Sequence, residues 1–216
     1  MPGEAAQPGK LNRRVHPANC EEENMKKIAL IAMTAAAAIA TPAMAQTTEV
    51  TGTINITGSV APKCFVLNGS TASDTFGTTV ALGELAQADG TLKPSADLSA
   101  QFLTVGGAAL DARVLCTSAT PNVSVTAEPL VNTVAADTGY DNSVDFTADV
   151  TFTRVGGTTL VSDLSSNPAA STASLPSRLT GTGTNVTVRT SGWNASGVLV
   201  AGDYTGKITV VVAPGA

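Results

Sequence analysis

The chain has 216 residues, with 12 basic and 17 acidic side chains and a formal net charge of −5. An acidic chain without a basic cluster argues against binding nucleic acid or an anionic membrane surface. Its one histidine is His16, so residues 46–216 lack the imidazole that Ser-His-Asp, Cys-His and His-bearing zinc sites require.

Met25-Lys26-Lys27 opens a basic stretch, and Ile28–Ala40 follows as an uncharged apolar run. Ala43-Met44-Ala45 then gives the small-x-small pattern of a signal-peptidase site, with Gln46 as the new N-terminus. The run is too short for a bilayer span, which takes about 20 residues. Residues 25–45 therefore read as a signal peptide, and 46–216 as an exported chain without a transmembrane segment. Residues 1–24 read as an upstream extension outside the natural start. They are polar and aperiodic, and Glu21-Glu22-Glu23 fits a purine-rich ribosome-binding site translated in error. Two cysteines remain after cleavage, Cys64 and Cys116, and an oxidising compartment predicts one disulfide between them.

The exported chain is built for strands. Val50, Ile54, Ile56 and Val60 share a period-two phase, with Gly52 and Gly58 on the same face. Leu110, Ala112, Val114 and Cys116 form a second face, and Val123, Val125 and Ala127 a third. The longest runs from Val144 through Phe146, Ala148 and Val150 to Phe152, with Asp and Thr between. Val186 and Val188 suggest another. Tyr204, Ile208, Val210 and Val212 form the inward face of the final strand. Turn signals at Asp89-Gly90, Gly106-Gly107, Gly156-Gly157, Asn167-Pro168 and Ala201-Gly202-Asp203 separate these segments. No helical period stands out, and residues 162–183 read as a long exposed connection. The expectation is an all-β sandwich of one domain.

Chemistry-bearing clusters are sparse. Asp137, Asp141, Asn142 and Asp145 carry oxygens in a short span, but their spacing fits no EF-hand, so a solvated loop is expected over a calcium site. Trp193 sits among turn residues and is expected to anchor a loop on the core rather than stack on a ligand. Tyr204 is expected to pack in the core or at a corner. No GxSxG or SxxK motif occurs, and Glu84 and Glu128 have nothing linking them. No catalytic, metal or cofactor site is expected.

Four segments carry a resemblance. EVTGTINITGSVAPKC (49–64) resembles the N-terminal extension of chaperone–usher pilins, where an alternating apolar face with a small residue runs into the first cysteine. FGTTVALGEL (76–85) is similar to the short strand after that cysteine in archaic pilins and spore-coat-U-like domains. RVLCTSATPNVSVTAEP (113–129) resembles their second-cysteine strand, and VAGDYTGKITVVVAP (200–214) their closing segment. Many such subunits stop on an aromatic-bearing strand, whereas this chain runs on to Pro214-Gly215-Ala216.

The resemblance implies an immunoglobulin-like sandwich lacking its last strand, in a chain exported through the periplasm to the cell surface. A periplasmic chaperone lends a strand, and at the outer-membrane usher the next subunit's extension replaces it. Residues 46–60 would be the donor, with Val50, Ile54, Ile56 and Val60 filling the groove of a copy or a related subunit. Residues 61–216 would form the body. The rival reading is a monomeric exported binding module, for carbohydrate or a surface ligand, with a complete sandwich.

Overall fold

The computed structural model describes residues 50–215. The expected signal peptide and upstream extension, and residues 46–49 of the expected donor, lie outside them. The chain divides between Ile54 and Asn55. In the first unit the described residues are Val50–Ile54, which are exposed and belong to no strand. The second unit holds every element that follows.

In chain order these are β1 (Cys64–Asn68), β2 (Thr71–Ser73), α1 (Ser95–Gly106), a 3-10 turn (Gly107–Leu110), β3 (Asp111–Ala112), β4 (Val114–Cys116) and β5 (Asn122–Val131). Then come β6 (Tyr140–Asp141), β7 (Ser143–Arg154), β8 (Gly157–Leu164), β9 (Ser171–Ser174), β10 (Val186–Asn194), β11 (Val198–Leu199) and β12 (Thr205–Ala213). The fold is mostly β, in antiparallel sheets around a shared apolar core. The largest has the order β12-β5-β7-β10-β3, with β8 also on β7 and β9 also on β5. A second has the order β2-β1-β4, and β11 pairs with β6 in parallel. Among the described residues no helix is long and apolar enough to cross a membrane.

The alternation of β7 explains its place. Val144, Phe146, Ala148, Val150 and Phe152 are all buried, while the residues between them are half-exposed. Antiparallel partners on both edges, β10 and β8, satisfy its backbone. The disulfide is present: Cys64 lies directly opposite Cys116 in the β1–β4 pair, 52 residues away in sequence. Closing a loop of that length stabilises the fold by about 4 kcal/mol in the chain-entropy account. Buried polar side chains tie the strands further. Asn185 accepts from Val114 N at 2.8 Å and donates to Val114 O at 2.7 Å and Thr180 O at 2.8 Å. Asp163 accepts from Ala127 N at 2.7 Å and from Ser171 N at 3.0 Å.

Two expectations are corrected. The chain does hold an α-helix: α1 buries Leu98, Phe102 and Gly106. That four-residue spacing is one helical face, and Ser95 Oγ accepts from Trp193 N at 2.9 Å where α1 meets β10. Residues 162–183 are not an exposed connection either. Asp163, Ser165, Leu175 and Leu179 are buried, and β9 pairs with β5. Single apolar residues pin that segment, too few to leave a periodic signal.

Candidate interaction groove

The final strand differs from β7. Among the described residues β12 pairs with β5 alone, from Thr205↔Val131 to Ala213↔Asn122. The ladder shifts register between Thr205 and Lys207. Gly206 permits that bulge, since a Cβ there would lie 2.9 Å from the Glu128 and Pro129 carbonyls. The inward residues Tyr204, Ile208, Val210 and Val212 are only half-buried. Tyr204, Ile208 and Val210 border an open groove of about 1070 Å³. Its floor holds Phe102, Leu110, Leu130, Phe146, Val188 and Trp193. A narrower space of about 250 Å³ continues between Cys64–Val66 and Val210–Val212.

Residues 76–86 form the opposite wall. Here the resemblance implies a strand, and none is assigned. Thr78–Leu82 nonetheless has a strand's alternation: Val80 is half-buried and Leu82 buried, with Thr79 and Ala81 exposed. Gly77 (φ 141°) and Gly83 (φ 65°) bracket the five residues in backbone conformations that glycine favours. No backbone hydrogen bond ties Thr78–Ala81 to a neighbouring strand among the described residues. The segment lacks strand status because it lacks a ladder. A groove with an apolar floor thus lies between β12 and a β-prone segment, each with backbone groups that no strand pairs among the described residues. An extended peptide suits such a groove better than a compact solute.

The groove closes at one end on Tyr204, whose hydroxyl lies 3.0 Å from the Asp141 and Val200 carbonyls. Burial raises the Tyr204 pKa and the nearby Asp141 charge adds to it, against hydrogen bonds that lower it. Burial also pushes the Asp141 carboxyl up, but hydrogen bonds outweigh it and hold it below its usual range. They come from Ser196 N at 2.7 Å, Ser143 N at 3.0 Å and the Ser196 hydroxyl at 2.8 Å.

The acidic span is therefore used within the fold. Asp141 caps Ser196, Asn142 donates to the Val134 carbonyl at 2.9 Å, and Asp145 accepts from Ser165 Oγ at 3.2 Å. Trp193 is 6% exposed and stacks on Phe146 with ring centroids 4.8 Å apart. It is a core anchor. Glu128 pairs with Lys207 on the surface at 2.8 Å, and Glu84 Oε1 accepts from Ala86 N.

The expected donor face lies bare. Val50 is 96% exposed, Ile54 88%, Ile56 92% and Val60 78%. Residues 50–63 belong to no strand. Gly52 and Gly58 have open space where a Cβ would stand, so nothing within 4 Å demands glycine at either position. Sequence reasoning found the β12 side of the groove, reached the far wall only through the resemblance at 76–85, and marked Leu110, Phe146 and Val188 as inward and Trp193 as a core anchor, but missed Phe102 and Leu130 of the floor. The glycine-bracketed TTVAL run was the available signal for the wall. No protein-family model matches the chain, and no curated protein matches it.

Proposed function

We propose that this chain is a structural subunit of a surface fimbria, assembled by a periplasmic chaperone and an outer-membrane usher through donor-strand exchange. On this reading the body is an immunoglobulin-like sandwich lacking its last strand, and its role is mechanical rather than catalytic. The observation that carries it is that β12 pairs on one side only among the described residues, beside an open groove with an apolar floor. The exposed alternating face of residues 50–60 supplies a matching occupant in a neighbouring copy. Val50, Ile54, Ile56 and Val60 enter the groove, and the strand's backbone pairs with β12 on one side and Thr78–Leu82 on the other. Moving those four side chains out of water contributes up to about 10 kcal/mol, an upper bound from transfer energies.

The rival reading, a monomeric carbohydrate-binding module, is weakened because Trp193, its candidate stacking residue, is 6% exposed and stacked on Phe146 rather than presented on the surface.

The proposal is tested by joining a second copy of residues 46–60 to the C-terminus through a flexible linker. The linked strand competes at an effective concentration near the millimolar range. The unmodified chain from Gln46 is expected to polymerise or aggregate, and the linked chain to be a monomer with a markedly higher melting temperature. A stable unmodified monomer that gains nothing from the added strand would return the binding module.

A further inference from the structure

The donor segment and the groove belong to one chain, so the strand has two destinations: its own groove or a neighbour's. We infer that Thr117 clamps the base of the extension and directs the strand to a second copy. The inference rests on the donor-strand reading and adds what decides between closure in cis and growth in trans.

Thr117 follows the β4 cysteine and makes three hydrogen bonds to the residues just before β1. Its N–H donates to Lys63 O at 2.9 Å. Its hydroxyl oxygen accepts from Lys63 N at 2.9 Å and donates to Ala61 O at 3.1 Å. The side chain thus serves the backbone groups flanking Pro62, which has no N–H of its own. These bonds continue the β1–β4 ladder past Cys64↔Cys116.

The direction of that continuation matters. Ser118, next in the chain, donates through its hydroxyl to Gly215 O at 2.9 Å. The clamped base therefore lies beyond the end of β12, on the Gly215 side. Followed backwards from Val66 through Cys64 to Ala61, the chain leaves the groove at that end. To bring the whole face, Val60 included, into its own groove, the chain would have to fold back beside β1 within Ala61-Pro62-Lys63. Tight hairpins of that length favour positive φ, supplied by Gly, Asn or Asp. Ala-Pro-Lys offers none, and Pro holds φ near −65°. The reversal would also break the Thr117 bonds. Clamp and proline together make cis closure costly while leaving Ile56 and Val60 exposed for a neighbour.

The experiment compares the chain from Gln46 with its Thr117→Val and Pro62→Gly variants and the double variant. Each is refolded at low concentration with the disulfide formed and the melting temperature checked. Native mass gives the monomer fraction, and hydrogen exchange reads the amides of Ile54–Val60 within the monomer. Losing both hydroxyl bonds predicts a roughly five- to thirtyfold higher monomer-to-polymer ratio for Thr117→Val. The double variant is expected to exceed either single one, with Ile54–Val60 protected. In parallel, a synthetic peptide of residues 46–60 is added to each protein. If the peptide binds but no variant shifts the ratio, the clamp is wrong and the donor reading stands. If the unmodified chain already forms monomers with protected Ile54–Val60 amides, the clamp is likewise wrong. If the peptide binds none of them, the donor reading falls and takes the clamp with it.

Discussion

β7 and β12 carry the same sequence pattern and end in different surroundings. Both alternate apolar and polar residues, and both pair with β5. β7 has β10 and β8 along its edges, and its five inward residues are at most 2% exposed. β12 has β5 alone among the described residues, and Ile208, Val210 and Val212 remain half-covered. The inward face of a strand is written in its own residues. Whether that face is covered depends on a neighbour, and for β12 that neighbour is missing from the chain's own described fold.

The comparison can be broken by truncating one residue from each strand. Phe152→Ala in β7 should cost about 3–5 kcal/mol in denaturant unfolding, because the site is fully packed. Val210→Ala in β12 should cost only about 1 kcal/mol in freshly refolded monomer and more once the 46–60 peptide fills the groove. Equal costs without peptide would mean that β12 is covered after all.

A second test works on the polar ties of the covered half. Asn185→Ala leaves the Val114 backbone groups buried without their present partner, and should cost about 1–3 kcal/mol. Because Asn185 lies away from the groove lining, peptide affinity should hold. A large loss of affinity with little loss of stability would reverse the assignment.

The smallest effect is at the Tyr204 end. Asp141→Asn should destabilise the chain by under about 1 kcal/mol at pH 7. The Asp141 carboxyl has a lowered folded pKa, so its contribution is present above its ordinary value of 3.8 and is lost as pH falls through the folded value. The gap between wild type and variant in thermal melts should therefore shrink below that pH. A gap that widens in acid would contradict the hydrogen-bond account.

Much of this was legible in the residues. Alternation gave β7 and the inward face of β12, and two cysteines in a chain read as exported predicted the disulfide that is present. The helix was hidden because only Leu98, Phe102 and Gly106 mark its buried face, although Pro94, Asp97 and Gly107 are start and stop signals. Residues 162–183 read as solvent-exposed because Leu175 and Leu179 act singly, each reaching the core from a polar surrounding. The donor face and the β12 side of the groove were visible as patterns. The assembled floor was not, since Phe102, Phe146 and Trp193 come from elements distant in the chain and meet only through topology.

The central claim is that β12 carries an edge waiting for a strand. Hydrogen exchange on the chain from Gln46, freshly refolded at low concentration and read on its monomer before it polymerises, with and without the 46–60 peptide, tests it most directly. The account predicts that the outward-facing amides of Thr205–Ala213 exchange fast in the free chain and slow by at least about tenfold with peptide, a shift of about 1.4 kcal/mol. Amides of Thr78–Leu82 should slow with them, while those of β7 stay protected in both states. Outward β12 amides already as protected as β7 without peptide, and unmoved by it, would contradict the account.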